Sequence, residues 1–255
     1  MDCVGLRSFA VFGLLAPASA RADHHHGMEA AKTESTTFGV GLSLVAAQFD
    51  TMFYGGDYQG FIPSVQWSVG RFAAAADLGV YRLHENGRSL YGVSDAIARS
   101  QVLVIARGGA AAGVGVGVSA PTGSERDGLG MGHAMVMPTA WARWRNATIG
   151  VGGSAGYSGA FDTANHAHGA WPLVDPMNVS ELTWSAGGDA ALADDLRVGG
   201  SLHGAVAIGD GTSRVVVGAR VVWRAGRIDS AFEIQSGIVG DPYKLRGVVE
   251  TLVRF

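Results

Sequence analysis

The feature that most constrains this chain is a strict two-residue alternation, clearest at its end and repeated upstream through most of its length. In the last stretch Leu245, Val249, Val253 and Phe255 share one face, with Gly247 and Thr251 between them. Lys244, Arg246, Glu250 and Arg254 share the other. A period of two belongs to an extended strand with unlike faces, and a helical period of 3.6 fits no better. The same division recurs upstream. Val215, Val217, Val221 and Trp223 oppose Arg214, Arg220 and Arg224, and Ile228, Phe232, Ile234 and Ile238 oppose Asp229, Glu233 and Gln235. Leu182, Trp184 and Leu192 oppose Glu181, Thr183 and Asp189, and Leu196, Val198, Leu202 and Val206 oppose Arg197, Ser201 and His203. In each pair one face holds almost all the charge.

Read this way, the chain predicts strands over 36–49, 60–71, 73–84, 94–106, 110–120, 133–145, 147–158, 179–191, 196–208, 214–224, 228–239 and 244–255. That is about twelve, an even number, as a single-chain bacterial barrel with both ends on one side of the membrane requires. A soluble sandwich would bury the apolar face against a second sheet; a transmembrane barrel turns it to lipid. Composition decides for the barrel. Mean hydropathy is +0.19, yet no run of 18 apolar residues could span a bilayer as a helix. Glycine is abundant, at 39 of 255 residues, and only 16% of residues are charged. A net charge of −3 gives no reason to expect nucleic-acid binding. The fold expected is therefore all-β, an antiparallel up-and-down transmembrane β-barrel over 36–255.

Connection lengths agree with that topology. Turns near 72, 107–109, 146, 192–195 and 225–227 are short and read as periplasmic; those at 50–59, 85–93, 121–132 and 159–178 are longer and read as external. The outer connections 209–213 and 240–243 are short as well, so the asymmetry is a tendency. Residues 1–22 read as a cleaved signal peptide: Arg7 precedes the apolar stretch Phe9 to Leu15, and Ala18-Ser19-Ala20 or Ala20-Arg21-Ala22 offers the cleavage site. Cys3 lies before that core, so the exported chain has no thiol for a disulfide or redox site. Residues 23–35 form a His-containing N-terminal segment. A strand ending the chain on an aromatic resembles the C-terminal signature of bacterial outer-membrane proteins. The expected location is the outer membrane of a Gram-negative bacterium, with the lipid bilayer and the barrel-insertion machinery as partners.

The segments GVSDAIARSQVLV and VGVSAPTGSERDGLGMGH, from Gly92 and Val116, carry a family resemblance. They resemble the outer-membrane transporter family named for the MetA pathway of phenol degradation. Members show a Gly-x-Gly-Asp turn entering a strand, a strand ending in Pro-Thr-Gly, and a Gly-Leu-Gly-x-Gly loop. The matching positions are Gly92 to Asp95, Pro121 to Gly123 and Gly128 to Gly132, with Ser94 in place of the second glycine of the first motif. The strand VGGSAGYSGAF, from Val151 to Phe161, is similar to the one that follows in that family. The resemblance implies a barrel and a transport role; it supplies no catalytic residue and no substrate.

Three clusters invite a metal reading. Met131, His133, Met135 and Met137 are spaced by two, so a strand puts all four on one face, continued by Thr139, Arg143 and Arg145. Thioethers with imidazole suit copper, whereas methionine alone is a common filler of irregular gaps. His166 and His168, with Asp162, Asp175 and Met177, sit in the long loop 159–178, where Trp171 and Pro172 suggest packing over the barrel mouth instead. His24, His25 and His26 follow the cleavage site, and His-rich tracts bind metal loosely. A copper or zinc ion is the cofactor such a set would take, against the alternative of no cofactor. The residues expected to line the lumen are Glu181, Asp189, Arg197, His203, Arg220, Arg224, Asp229, Glu233, Arg246 and Glu250, forming either a polar pore or a plugging network. Gly113, Gly115, Gly117, Gly150, Gly152 and Gly156 face the same way and leave room there.

No nucleophile elbow, zinc-protease helix, phosphate loop or dinucleotide fingerprint is present, so no catalytic residue is assigned and an enzyme is not expected. The leading expectation is a channel or transporter for passive movement of small solutes. A metal-handling barrel and a closed structural barrel are the alternatives.

Overall fold

In the computed structural model, which describes residues 36–50, 55–161, 174, 177–240 and 243–255, the chain is a single antiparallel sheet closed on itself. The strands are β1 (Thr36–Asp50), β2 (Gly55–Val69), β3 (Phe72–Asp77), β4 (Val80–Glu85), β5 (Arg88–Val93), β6 (Ala96–Arg107) and β7 (Ala110–Ala120). They continue as β8 (Met135–Arg145), β9 (Ile149–Ala160), β10 (Ser180–Ala191), β11 (Leu196–Ala207), β12 (Arg214–Ala225), β13 (Ile228–Val239) and β14 (Tyr243–Arg254). Both β3 and β4 pair with β2, and they in turn pair with β6 and β5. Each of these two couples is thus one crossing interrupted midway, and fourteen segments make the twelve crossings the alternation predicts.

Closure runs through β1, which pairs with β2 on one side and β14 on the other. The final residue completes this seam: Phe255 N–H donates to the Phe38 carbonyl at 2.8 Å, and the two rings lie 6.3 Å apart. Closure pairs the crossings on both sides around the girth, as hydrocarbon requires, and only the short β5 segment, paired with β4 alone, extends beyond the closed part.

The two faces sort as the alternation requires. Phe38, Val40, Leu42 and Leu44 of β1, Val217, Val221 and Trp223 of β12, and Phe232 and Ile234 of β13 point outward and are exposed. Near the end that carries Thr36 and Phe255, the outer wall bears Phe38, Trp67, Phe72, Trp144, Trp223 and Phe255, with Trp67 and Phe72 packed edge-on at 5.6 Å. An apolar band with an aromatic girdle is the surface of a barrel that sits in hydrocarbon. Among the described residues no helix is long and apolar enough to cross a membrane. The crossing is made by strands.

Short turns gather at the girdled end. Gly70 and Arg71, Gly108 and Gly109, and Gly226 and Arg227 each join neighbouring strands, with Gly70, Gly108 and Gly226 at φ 56, 58 and 60°. The expected loop over 85–93 turns out to be a hairpin, in which Asn86 and Gly87 at φ 49 and 76° join β4 to β5. Two successive left-handed residues form the tight turn that matches strand twist, so the ladder extends instead of opening into a loop. Strand β2 likewise begins at Gly55, inside the expected loop over 50–59.

Val249 lies midway along β14 on the lipid face. Val249→Arg should destabilise the barrel by about 2–4 kcal/mol. Ser201→Arg in the lumen should cost far less, and reversible urea unfolding in lipid bilayers measures both.

Candidate functional site: the lumen and its inward loop

The interior has two unlike walls. On β10 to β14 the inward positions carry charge. Arg214 donates to both oxygens of Glu181 at 2.8 Å, and Glu181 also accepts from the Asn178 backbone N–H at 3.0 Å and side-chain amide at 2.8 Å. Asp189 is held between Arg145, at 2.8 Å, and Arg197. Asp229 is held between Arg224, at 2.8 Å, and Arg254. Arg220 reaches Glu250 and lies 3.8 Å from Glu233. Arg246 and Gln235 are fully buried, and His203 is 6% exposed. All ten residues expected to line the lumen thus lie on the inward face. Arg254 does too, while Lys244 differs: it is 61% exposed at the far rim and pairs with Asp50. A bulge explains this, because Gln48 faces Leu245 and the next partner of β1 is Tyr243, which leaves Lys244 as the extra residue.

The opposite wall is apolar. Val45 and Phe49 of β1, Tyr58 and Ile62 of β2, and Tyr81 and Leu83 of β4 are buried in one cluster with Val216, Val248 and Tyr243. Sequence reasoning missed this wall because the outward residues of β1 and β2 are apolar as well, so no charge marks which face is which. Alternation in size is the signal that remains.

A loop closes over these walls. Strand β3 meets β6 at Asp77 and Ile97, and β4 meets β5 at Val80 and Val93. Two residues, Leu78 and Gly79, therefore face three, Ser94 to Ala96. The extra residue is a β-bulge, and it turns two consecutive side chains inward: Ser94 is 0% exposed and Asp95 4%. Ser94 Oγ accepts from Gly79 N–H at 3.0 Å. Asp95 reaches the loop that joins β7 to β8, with one oxygen accepting from Gly123 N–H at 2.9 Å and the other from Met131 N–H at 2.7 Å. Thr122 Oγ1 accepts from Ala96 N–H and donates to the Ser94 carbonyl, both at 2.8 Å.

These contacts give the motif glycines a physical reason. A Cβ at Gly130 would stand 2.4 Å from Asp95 Oδ1, and one at Gly123 would stand 2.5 Å from the Leu129 carbonyl oxygen. The loop so anchored sends Leu129 into the apolar cluster of the lumen, where Val174 also packs.

Met131, Met135, Met137 and Met177 form a second buried cluster with Ile97. The expected strand over 133–145 begins instead at Met135, so Met131 and His133 come from the anchored loop; both are 6% exposed. Among the described residues all four methionines are in this one place. Also among them, no three His, Cys, Asp or Glu side chains group as an ion would require. His24, His25, His26, His166 and His168 lie outside the described residues. The inward glycines make room for large neighbours: a Cβ at Gly113 would stand 2.6 Å from the Trp141 ring, and one at Gly150 2.8 Å from Asp189 Oδ2.

The sequence matches no family model and no curated protein. Solved structures do match. The COG4313 outer membrane channel from Pseudomonas putida F1 superposes with a TM-score of 0.69 at 12% identity, over 88% of this chain and 97% of that one. A KdgM porin superposes with a TM-score of 0.55 at 10% identity, over 85% and 99% of the two chains. The translocator domain of the autotransporter NalP from Neisseria meningitidis gives 0.52 at 15% identity, over 90% and 91%. At these identities the likeness is one of fold: this chain has the closed twelve-crossing barrel of outer-membrane channels.

Asp95→Ala removes both charge-assisted anchors of the loop. Amide hydrogen exchange at Gly123 and Met131 should accelerate by roughly tenfold or more, since each such bond contributes about 1.5–3 kcal/mol. Exchange in β12 to β14 should be unchanged.

Proposed function

We propose that this protein is an outer-membrane channel through which small solutes move passively. The observation that carries the reading is a closed, lipid-facing barrel whose lumen is walled by charge on one side and apolar groups on the other. A barrel whose interior was only a structural core would have little use for a solvent-touched arginine ladder; Arg197 and Arg224 side chains are 17% and 26% exposed. The fold likeness to a COG4313 channel and a KdgM porin supports the same reading, as does the resemblance to the MetA-pathway transporter family. In this reading the short turns and girdle face the periplasm, the anchored loop faces outward, and the chain is delivered by a signal peptide and the insertion machinery. Solutes enter past Leu129 and Val174 and leave between the arginines. The role is that of a conduit and not of an enzyme.

Purified protein reconstituted into liposomes should swell them in small sugars or amino acids, and single channels should conduct in planar bilayers. Asp95→Ala, by freeing the loop, should raise the conductance. Closed, silent bilayers with both proteins would instead identify a structural barrel.

A second reading rests on the methionines. Four buried thioethers beside His133 suit a soft cation such as Cu(I), and Met177 adds a group to the stripe that spacing alone defined. Calorimetric titration with Cu(I) should then show a site in the native protein that His133→Ala, Met135→Leu weakens strongly. Equal affinity in the two proteins would end this reading and leave the methionines as packing.

A further inference from the structure

The inward-facing charges are not spread evenly along the lumen. Toward the anchored loop and at mid-depth, Arg99, Arg214, Arg220 and Arg246 stand with Asp77, Glu181, Glu233 and Glu250, four of each sign. Asp95 adds one carboxylate there, spent on the loop. At the short-turn end the inward positions among the described residues carry Arg143, Arg145, Arg197, Arg224 and Arg254 against Asp189 and Asp229. Five guanidinium groups against two carboxylates leave three positive charges in excess. The turns just beyond do not cancel it, since they and the strand end beside them hold Arg71, Arg107 and Arg227 against Asp194 and Asp195.

Both carboxylates at this end are shared, each between two arginines, so neither forms an isolated neutral pair. Arg143 lies over the Trp141 ring at 5.2 Å, which fixes a guanidinium beside the passage. Every inward cation among the described residues is arginine and none is lysine. Arginine stays charged at any physiological pH, and its planar fork matches an oxyanion such as a carboxylate. A cluster of one sign between low-dielectric walls raises the local concentration of the opposite ion and excludes its own kind.

We propose that this arginine ring makes the channel select small anions, carboxylates among them, over cations. The inference rests on the channel reading and names its solute class by charge. The filter is asymmetric along the axis, with its excess charge confined to the short-turn end.

The test is the reversal potential of the reconstituted native protein under a KCl gradient, repeated with potassium acetate. The sign expected is that of an anion-permeable pore, with chloride and acetate each passing more readily than potassium by several-fold. Arg143→Gln and Arg254→Gln should each move the potential toward the non-selective value. Asp189→Asn should move it the other way, by removing a negative charge from the ring. Asp50→Asn, at the far rim, should leave it in place. A channel that conducts but prefers potassium, or whose potential is the same in all ring variants, overturns the anion filter and leaves the channel reading intact. A protein that conducts nothing, native or Asp95→Ala, overturns both.

Discussion

Hydrocarbon offers a backbone amide no hydrogen-bond partner, and everything else in this molecule follows from that. A strand placed there must be paired on both sides, so the sheet must close. The closing seam is β1 against β14, and it is completed by the last residue of the chain, whose amide bonds to Phe38. Once closed, the barrel has an outside that must be apolar and an inside that need not be. The alternation that runs through the sequence is the imprint of this single constraint, with Val249 and Phe232 set toward lipid and Glu250 and Glu233 set inward.

The inside is therefore where the sequence is free to specify something. On β10 to β14 it places arginines and carboxylates in shared pairs; on β1, β2 and β4 it places aromatic and aliphatic side chains. Charge removed from bulk water costs free energy unless paired, which accounts for the pairing. A lumen only partly closed to water lowers that cost, and it allows the arginines of the girdled end to outnumber their partners. The interior combines a packed apolar wall with a wetted charged one, and glycines such as Gly113 and Gly150 give the larger neighbours their space.

Much of this was legible in the residues alone. Strands β7, β11 and β13 were legible almost to the residue because Gly, Asp and Pro turn residues bound the alternation on both sides. The inward placement of ten charged or polar side chains follows from the same alternation, as one face of each strand holds nearly all the charge. Two features were not legible. The apolar wall is hidden because apolar residues on both faces of β1 and β2 erase the contrast that period-two reading depends on. The bulge at Ser94 and Asp95 is hidden because an extra residue looks like a shift of register, and only the partner strand reveals it. The family-like motif at Gly92 to Asp95 marked the place without disclosing its cause. Met177 joining the methionine stripe is a tertiary fact, from a residue more than 35 positions from Met137, with no local signal.

The anchor at Asp95 has a consequence for how this protein can change. Its two oxygens grip backbone amides, those of Gly123 and Met131, and so are blind to the side chains in between. Only the glycines that let the chain approach are demanded by the grip. The tip around Arg126 is consequently a cassette: its composition can drift, and a peptide grafted there would inherit the same fixed footing. A lineage could retune what this mouth of the barrel presents to its surroundings while the frame beneath stays as it is.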